Sequence, residues 1–116
     1  MKILIVDDNE EARLCLRLQL QALGHMVVAE AETLAAAVKH YQELKPDLVI
    51  LDLTLEREDG LTILGALRRV DGAAKVIILS ANEMERIKKQ ALAAGAFAYL
   101  VKPLDDKELT EILKRA

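Results

Sequence analysis

The sequence predicts an α/β fold: a doubly wound, five-stranded parallel sheet with helices on both faces. Three observations predict it. Five short, almost uninterrupted apolar runs recur along the chain, the composition of strands buried on both sides. A longer segment of helical composition, with its own start and stop signals, follows each run. The connections are short, so consecutive strands must be joined through the helices between them, which makes the sheet parallel.

The first strand is Lys2 to Val6 (KILIV), after which Asp7-Asp8-Asn9-Glu10 opens a helix with acidic residues at its N-terminal end. The segment from Glu10 to Leu23 is ambiguous by period alone, because Leu14, Leu16, Leu18 and Leu20 alternate as in a strand. Its length, its Leu, Arg, Gln and Ala content and the Gly24 that stops it decide for a helix. As a helix it sets Ala12, Leu16, Leu20 and Leu23 on one stripe and Leu14 and Leu18 nearly opposite. Met26 to Ala29 is a short second strand. Thr33 caps a helix from Leu34 to Leu44, with Ala37, Val38, Tyr41 and Leu44 spaced for burial and Pro46 as the stop.

Leu48 to Asp52 is the central strand, set between Lys45-Pro46-Asp47 and the polar run Glu56 to Gly60. A helix from Gly60 to Val70 carries Leu61, Leu64 and Leu67 inward. Lys75 to Leu79 is the fourth strand, and Asn82 or Ser80 caps a helix that runs to Ala94 and ends at Gly95. Phe97 to Val101 is the fifth strand, and Leu104 to Arg115 the last helix, with Leu109, Ile112 and Leu113 inward. Of the doubly wound orders, the flavodoxin-like 2-1-3-4-5 puts strands one and three side by side where the chain reverses, the crevice in which such sheets bind ligands.

Composition bounds the function. At 116 residues the chain is one domain spanning 1–116, and 53% hydrophobic residues exclude disorder. With two tyrosines, one phenylalanine and no tryptophan, the core is aliphatic. A net charge of −3 argues against direct nucleic-acid binding through a basic face. The lone Cys15 fits a reducing compartment. No apolar run approaches the roughly 18 residues of a membrane span, and strand sequence from Lys2 leaves no room for a signal peptide. A cytoplasmic domain is expected.

Taken singly, the polar residues at the strand ends have plain structural readings. Asp7-Asp8 caps a helix, Ser80 caps another, Lys102 is a solvated lysine, and Asp52 caps whatever follows its strand. Their convergence changes this, because three carboxylates, a hydroxyl and an ammonium all fall at the C-terminal ends of strands in one sheet. Carboxylates about 4 Å apart repel by roughly 4 kcal/mol at an effective dielectric of 20. Such a cluster calls for a cation, and an all-oxygen site with few protein ligands suits Mg2+ (or Mn2+). Beside it, Lys102 and the Ser80 hydroxyl are placed to share the charged oxygens of a phosphoryl group while Asp52 attacks in line.

Val6-Asp7-Asp8, Leu51-Asp52, Ser80-Ala81 and Lys102-Pro103, in this order and spacing, resemble the receiver domains of bacterial two-component response regulators, over the whole chain. The resemblance implies that Asp52 is the phosphoacceptor. Asp7 and Asp8, with Asp52 and the main-chain carbonyl of Thr54, are then the metal ligands. It assigns Ser80 and Lys102 to the phosphoryl oxygens, Tyr99 with Ser80 to the conformational switch, and Pro103 to a cis peptide bond after Lys102. Glu56 stands where the family often has a proline, a more acidic loop. The implied partners are a histidine kinase or histidine phosphotransferase and a downstream output domain or target protein; a homodimer formed on phosphorylation is compatible. Leu14 and Leu18, on the helix that begins at the acidic pair, are the candidate docking patch for the phosphodonor protein. His25, His40 and the Lys88-Lys89 pair carry no site.

The rival reading is an aspartate-nucleophile phosphatase of the haloacid-dehalogenase type. That class places a second aspartate two residues after the nucleophile, where this chain has Thr54, and its acidic metal pair comes late in the chain rather than first.

Overall fold

The computed structural model describes residues 1–52, 60–81 and 85–116. Along the chain it contains β1 (Lys2–Val6), α1 (Glu10–Ala22), β2 (Met26–Ala31), α2 (Leu34–Leu44), β3 (Leu48–Asp52), α3 (Gly60–Val70), β4 (Val76–Ser80), α4 (Glu85–Ala93), β5 (Ala98–Val101) and α5 (Asp106–Arg115). The strands form one parallel sheet in the order β2-β1-β3-β4-β5.

Every residue of β3 and β4 is buried, as a central strand covered on both faces must be. Alternation along the strands splits the core in two. Leu4, Val6, Val49, Leu51, Val76 and Ile78 meet Tyr41 of α2, Leu64 and Leu67 of α3 and Ala91 of α4. Ile3, Ile5, Leu48, Ile50, Ile77 and Leu79 meet Leu20 of α1 and Leu109 and Leu113 of α5.

The ambiguous leucines lie on a helix, α1. Asn9 caps it by accepting from the Ala12 N–H at 2.9 Å, and Gly24 follows its end at φ 90°. Leu20 is fully buried and Leu16 packs at the margin of the core, while Leu14 and Leu18 are exposed.

Several boundaries differ from expectation. Strand β2 continues past Ala29 to Ala31, because β1 pairs with it as far as Val6–Ala31 and arginines of α1 take up the Glu30 carboxylate. The end of α2 is formed by Lys45 in the left-handed region (φ 45°), one residue before Pro46, and this turns Leu44 out to 43% exposure rather than inward. Ser80 is the last residue of β4 and not a cap, and Asn82 lies outside the described residues. Strand β4 begins at Val76 rather than Lys75, and β5 at Ala98 rather than Phe97. Helix α5 starts at Asp106 rather than Leu104, because Asp105 is the better cap and accepts from Glu108 N–H at 2.7 Å.

Candidate functional site

Strand order does the first work of assembly. With β1 beside β3 and β3 beside β4, the residues that end these strands share one rim. Asp52 closes β3 and is 6% exposed; Asp7 follows β1 and is equally buried. The structural reading of Asp7-Asp8 as a cap does not hold, since Asn9 performs that role. Asp7 instead belongs to a tight turn: its Oδ1 accepts from the Asn9 N–H at 2.9 Å, and its own N–H donates to the Ala31 carbonyl at 3.0 Å. Asp8 beside it is half-buried.

Lys102 follows β5 and reaches across the rim. Its Nζ lies 2.7 Å from Asp52 Oδ2, and its N–H donates to the Ser80 carbonyl at 2.8 Å. The Lys102–Pro103 bond is cis. Among the described residues, two buried acids, Asp7 and Asp52, face the cation of Lys102 at this rim. Burial pushes the Asp7 carboxyl up to about 6; the Asn9 N–H opposes this, Asp52 adds to it, and Lys102 holds it down.

The side chains of Ser80 and Tyr99 leave the sheet on the face opposite to that of Asp52. Side-chain alternation puts Asp52 on the α1/α5 side of the sheet, but Ser80 in phase with Ile78 and Tyr99 with Val101, on the α2/α3/α4 side. Ser80 is fully buried and Tyr99 is 9% exposed, in the same core cluster as Ala91 of α4. Hydroxyl and ring thus occupy the layer beneath α4. On the other side of the sheet a cavity of about 430 Å³ opens between α1 and the β5–α5 connection, and Asp7, Cys15, Leu16, Lys102 and Leu104 are among the residues that line it.

The donor set suits a hard cation. It is all oxygen, and Asp7 within it is opposed by the neighbouring Asp52 carboxylate. Among the described residues no three acidic, histidine or cysteine side chains converge as a complete cage. Mg2+ does not require one, since it takes one or two carboxylates and keeps several waters. Thr54 and Glu56 lie outside the described residues.

The model of the response regulator receiver domain family matches residues 3–114. The chain belongs to that family. As a receiver domain it resembles the chemotaxis protein CheY of Bacillus subtilis, 38% identical over 98% of this chain and 95% of that protein. The transcriptional regulatory protein PhoP of Escherichia coli K12 is 37% identical over 94% of this chain, but only 48% of its own length is matched. Among solved structures, a chain of the CheX-CheY-BeF3-Mg2+ complex from Borrelia burgdorferi superposes with a TM-score of 0.93 at 31% identity, covering 99% of this chain and 87% of that one. The receiver domain is a signalling component of two-component systems, and the phosphatase reading is not favoured. Among the described residues no helix is long and apolar enough to cross a membrane.

One buried polar residue went unnoticed in the sequence. Arg13, on α1, is 8% exposed and is bound to Asp7, Glu30 and Glu32. Its signal, an arginine six residues after Asp7 with two glutamates at the far end of the next strand, looks like an ordinary solvated charge pattern.

Proposed function

We propose that residues 1–116 form one phosphoacceptor domain that takes a phosphoryl group on Asp52 from the phosphohistidine of a kinase or phosphotransferase and passes on the change of state, without a substrate of its own to turn over. The observation that carries this reading is the 2.7 Å contact between Lys102 Nζ and Asp52 Oδ2 at a rim that also holds Asp7. A lysine so placed aims one carboxylate oxygen and brings positive charge to whatever that oxygen binds.

An oxygen of Asp52 attacks phosphorus, the P–N bond to the donor imidazole breaks, and its electron pair returns to the ring, which binds a proton. Lys102 then transfers its contact from the carboxylate to a phosphoryl oxygen, and the Ser80 hydroxyl donates to another. Asp7, Asp8 and Asp52, with the Thr54 carbonyl, would hold Mg2+ (or Mn2+), which supplies neutralising charge to the phosphoryl oxygens when bound. Hydrolysis by water returns Asp52 to a carboxylate. The domain is cytoplasmic in this reading, does not bind nucleic acid itself, and acts on a target protein or an attached output domain.

Incubation with acetyl phosphate and Mg2+ should add one phosphoryl group, seen as an acid-stable, base-labile gain in intact mass. Asp52→Asn should abolish it. Phosphate retained by the Asp52→Asn protein would overturn the assignment.

A further inference from the structure

Arg13 is buried on α1 with all three of its guanidinium nitrogens engaged. Nη1 donates to the main-chain carbonyl of Asp7 at 2.6 Å, Nε to Glu30 Oε1 at 3.1 Å, and Nη2 to Glu32 Oε1 at 3.1 Å. Arg17 Nη1 holds the other oxygen of Glu30 at 2.5 Å. The two glutamates come from the end of β2 and the residue beyond it, so the guanidinium ties the β1–α1 turn to the neighbouring strand.

The Asp7 carbonyl lies past the end of β1 and before the Asn9 cap, where neither sheet nor helix supplies its donor. Arg13 supplies it. With the Asp7 N–H bound to the Ala31 carbonyl, the Asp7 residue is gripped through its N–H and its C=O, both toward the β2 side. This grip matters because the side chain it carries opposes Asp52, and two carboxylates free to move would separate. The cation that acts on the Asp7 carboxyl itself is Lys102, whereas Arg13 spends its hydrogen bonds on the backbone and on β2.

We propose that Arg13 is a positioning residue for the metal site: its bond to the Asp7 carbonyl fixes the turn that aims Asp7 and Asp8, and so sets the affinity for Mg2+. The inference rests on the phosphoacceptor reading above. It concerns binding of the ion and not the transfer step.

The test is titration of the full chain with Mg2+ alone, followed by calorimetry or by amide shifts, with no phosphoryl donor present. Loss of an outer partner that orients a ligand weakens metal binding by roughly 10–100-fold, so Arg13→Ala should bind Mg2+ at least about tenfold more weakly. Glu32→Gln removes one anchor and spares the carbonyl bond, and should stay within about twofold of the unmodified protein. At saturating Mg2+, phosphorylation of Arg13→Ala by acetyl phosphate should recover, because only the half-saturating concentration has moved. A merely structural arginine would lower the unfolding temperature and leave Mg2+ affinity unchanged, and that result would overturn the proposal. If Arg13→Ala fails to fold, Arg13→Lys decides: weaker Mg2+ binding by the folded variant supports positioning, and unaltered binding refutes it. If the unmodified protein binds no Mg2+, the phosphoacceptor reading falls and takes this inference with it; if it binds and the arginine variants bind equally well, only the inference falls.

Discussion

Asp7 and Asp52 end neighbouring strands and oppose one another as buried carboxylates, and burial, reinforced by that opposition, pushes Asp7 up to about 6. The rim is therefore built at a cost. Among the described residues Lys102 is bound to Asp52, and a divalent ion at this rim, as proposed above, would relieve the opposition of the acids.

The cost has a pH signature. Asp7 holds its proton up to about 6 in the folded chain and to its ordinary 3.8 when unfolded. Between those values the folded state binds more protons, so in metal-free buffer Asp7 removes stability as pH rises through this window. Asp7→Asn should be more stable than the unmodified protein at about pH 7.5, by on the order of 1–2 kcal/mol. The gap should close below about pH 4, where the native carboxyl is neutral too. Urea unfolding with chelator across this range measures it; a gap independent of pH would trace the difference to packing in the turn rather than to the charge of the Asp7 carboxyl.

Strand order, and with it the placing of Asp7, Asp52 and Lys102 at one edge of the sheet, was legible in the sequence because both follow from repetition. Apolar runs with polar tips recur, and one winding rule carries their tips to one edge. Arg13 was not legible, because its burial depends on Glu30 and Glu32, seventeen and nineteen residues away, and nothing in a local window separates it from the exposed Arg69. The sequence alone ends β2 at Ala29 and starts α5 at Leu104, short of Ala31 and ahead of Asp106, for a related reason. Glu30 looks like a loop residue until its arginines are known, and Leu104 looks helical until Asp105 is seen capping. Leu44 matched a helical stripe, but the stripe ends one turn before the left-handed Lys45 turns the chain away.

At the opposite end of the sheet a side-chain bond joins α2 to the residue that follows α3. Tyr41 of α2 donates its hydroxyl to Asp71 Oδ2 at 2.9 Å, just past the end of α3. Burial, together with that acceptor, raises Tyr41 to about 12. Unfolded Tyr41 ionises near 10, so the bond's stabilisation is complete below pH 10 and is lost as pH climbs to about 12. Tyr41→Phe should lower stability by about 1 kcal/mol near neutrality and flatten the alkaline limb of the stability profile. Phosphorylation by acetyl phosphate should be unaffected, since the bond lies away from the rim. An alkaline limb as steep as in the unmodified protein would assign it to another group.

Ser80 and Tyr99 lie on the same side of the sheet, the side that α4 covers. A phosphoryl group on Asp52 should draw the Ser80 hydroxyl towards it and vacate volume that the Tyr99 ring then occupies. Such a switch works when its two states lie within a few kcal/mol. Addition of beryllofluoride and Mg2+ should shift amides along α4, β5 and α5. In Ser80→Ala the shifts around Asp52 should remain while those of α4 and Tyr99 shrink. Undiminished shifts in α4 would show that the signal takes another route.

Leu14 and Leu18 are 42% and 56% exposed, one turn apart on α1, with the exposed Cys15 beside them. Scattered exposed leucines are common and mean little. These two share a helix that begins three residues after Asp7, and the side of it carrying Cys15 and Leu16 lines the cavity that reaches Lys102. A protein delivering a phosphohistidine to Asp52 must cover this edge of the rim, and an apolar pair there offers area that desolvates on docking. Acetyl phosphate needs no such contact. Replacing both leucines with arginine should therefore slow transfer from a cognate kinase by tenfold or more, a loss of about 1.4 kcal/mol or greater, with the acetyl phosphate rate unchanged. Arginine is nearly as good a helix former as leucine, and both positions face solvent, so α1 should persist. Equal losses with both donors would trace the effect to a damaged helix, and unchanged kinase transfer would remove the pair from the docking surface.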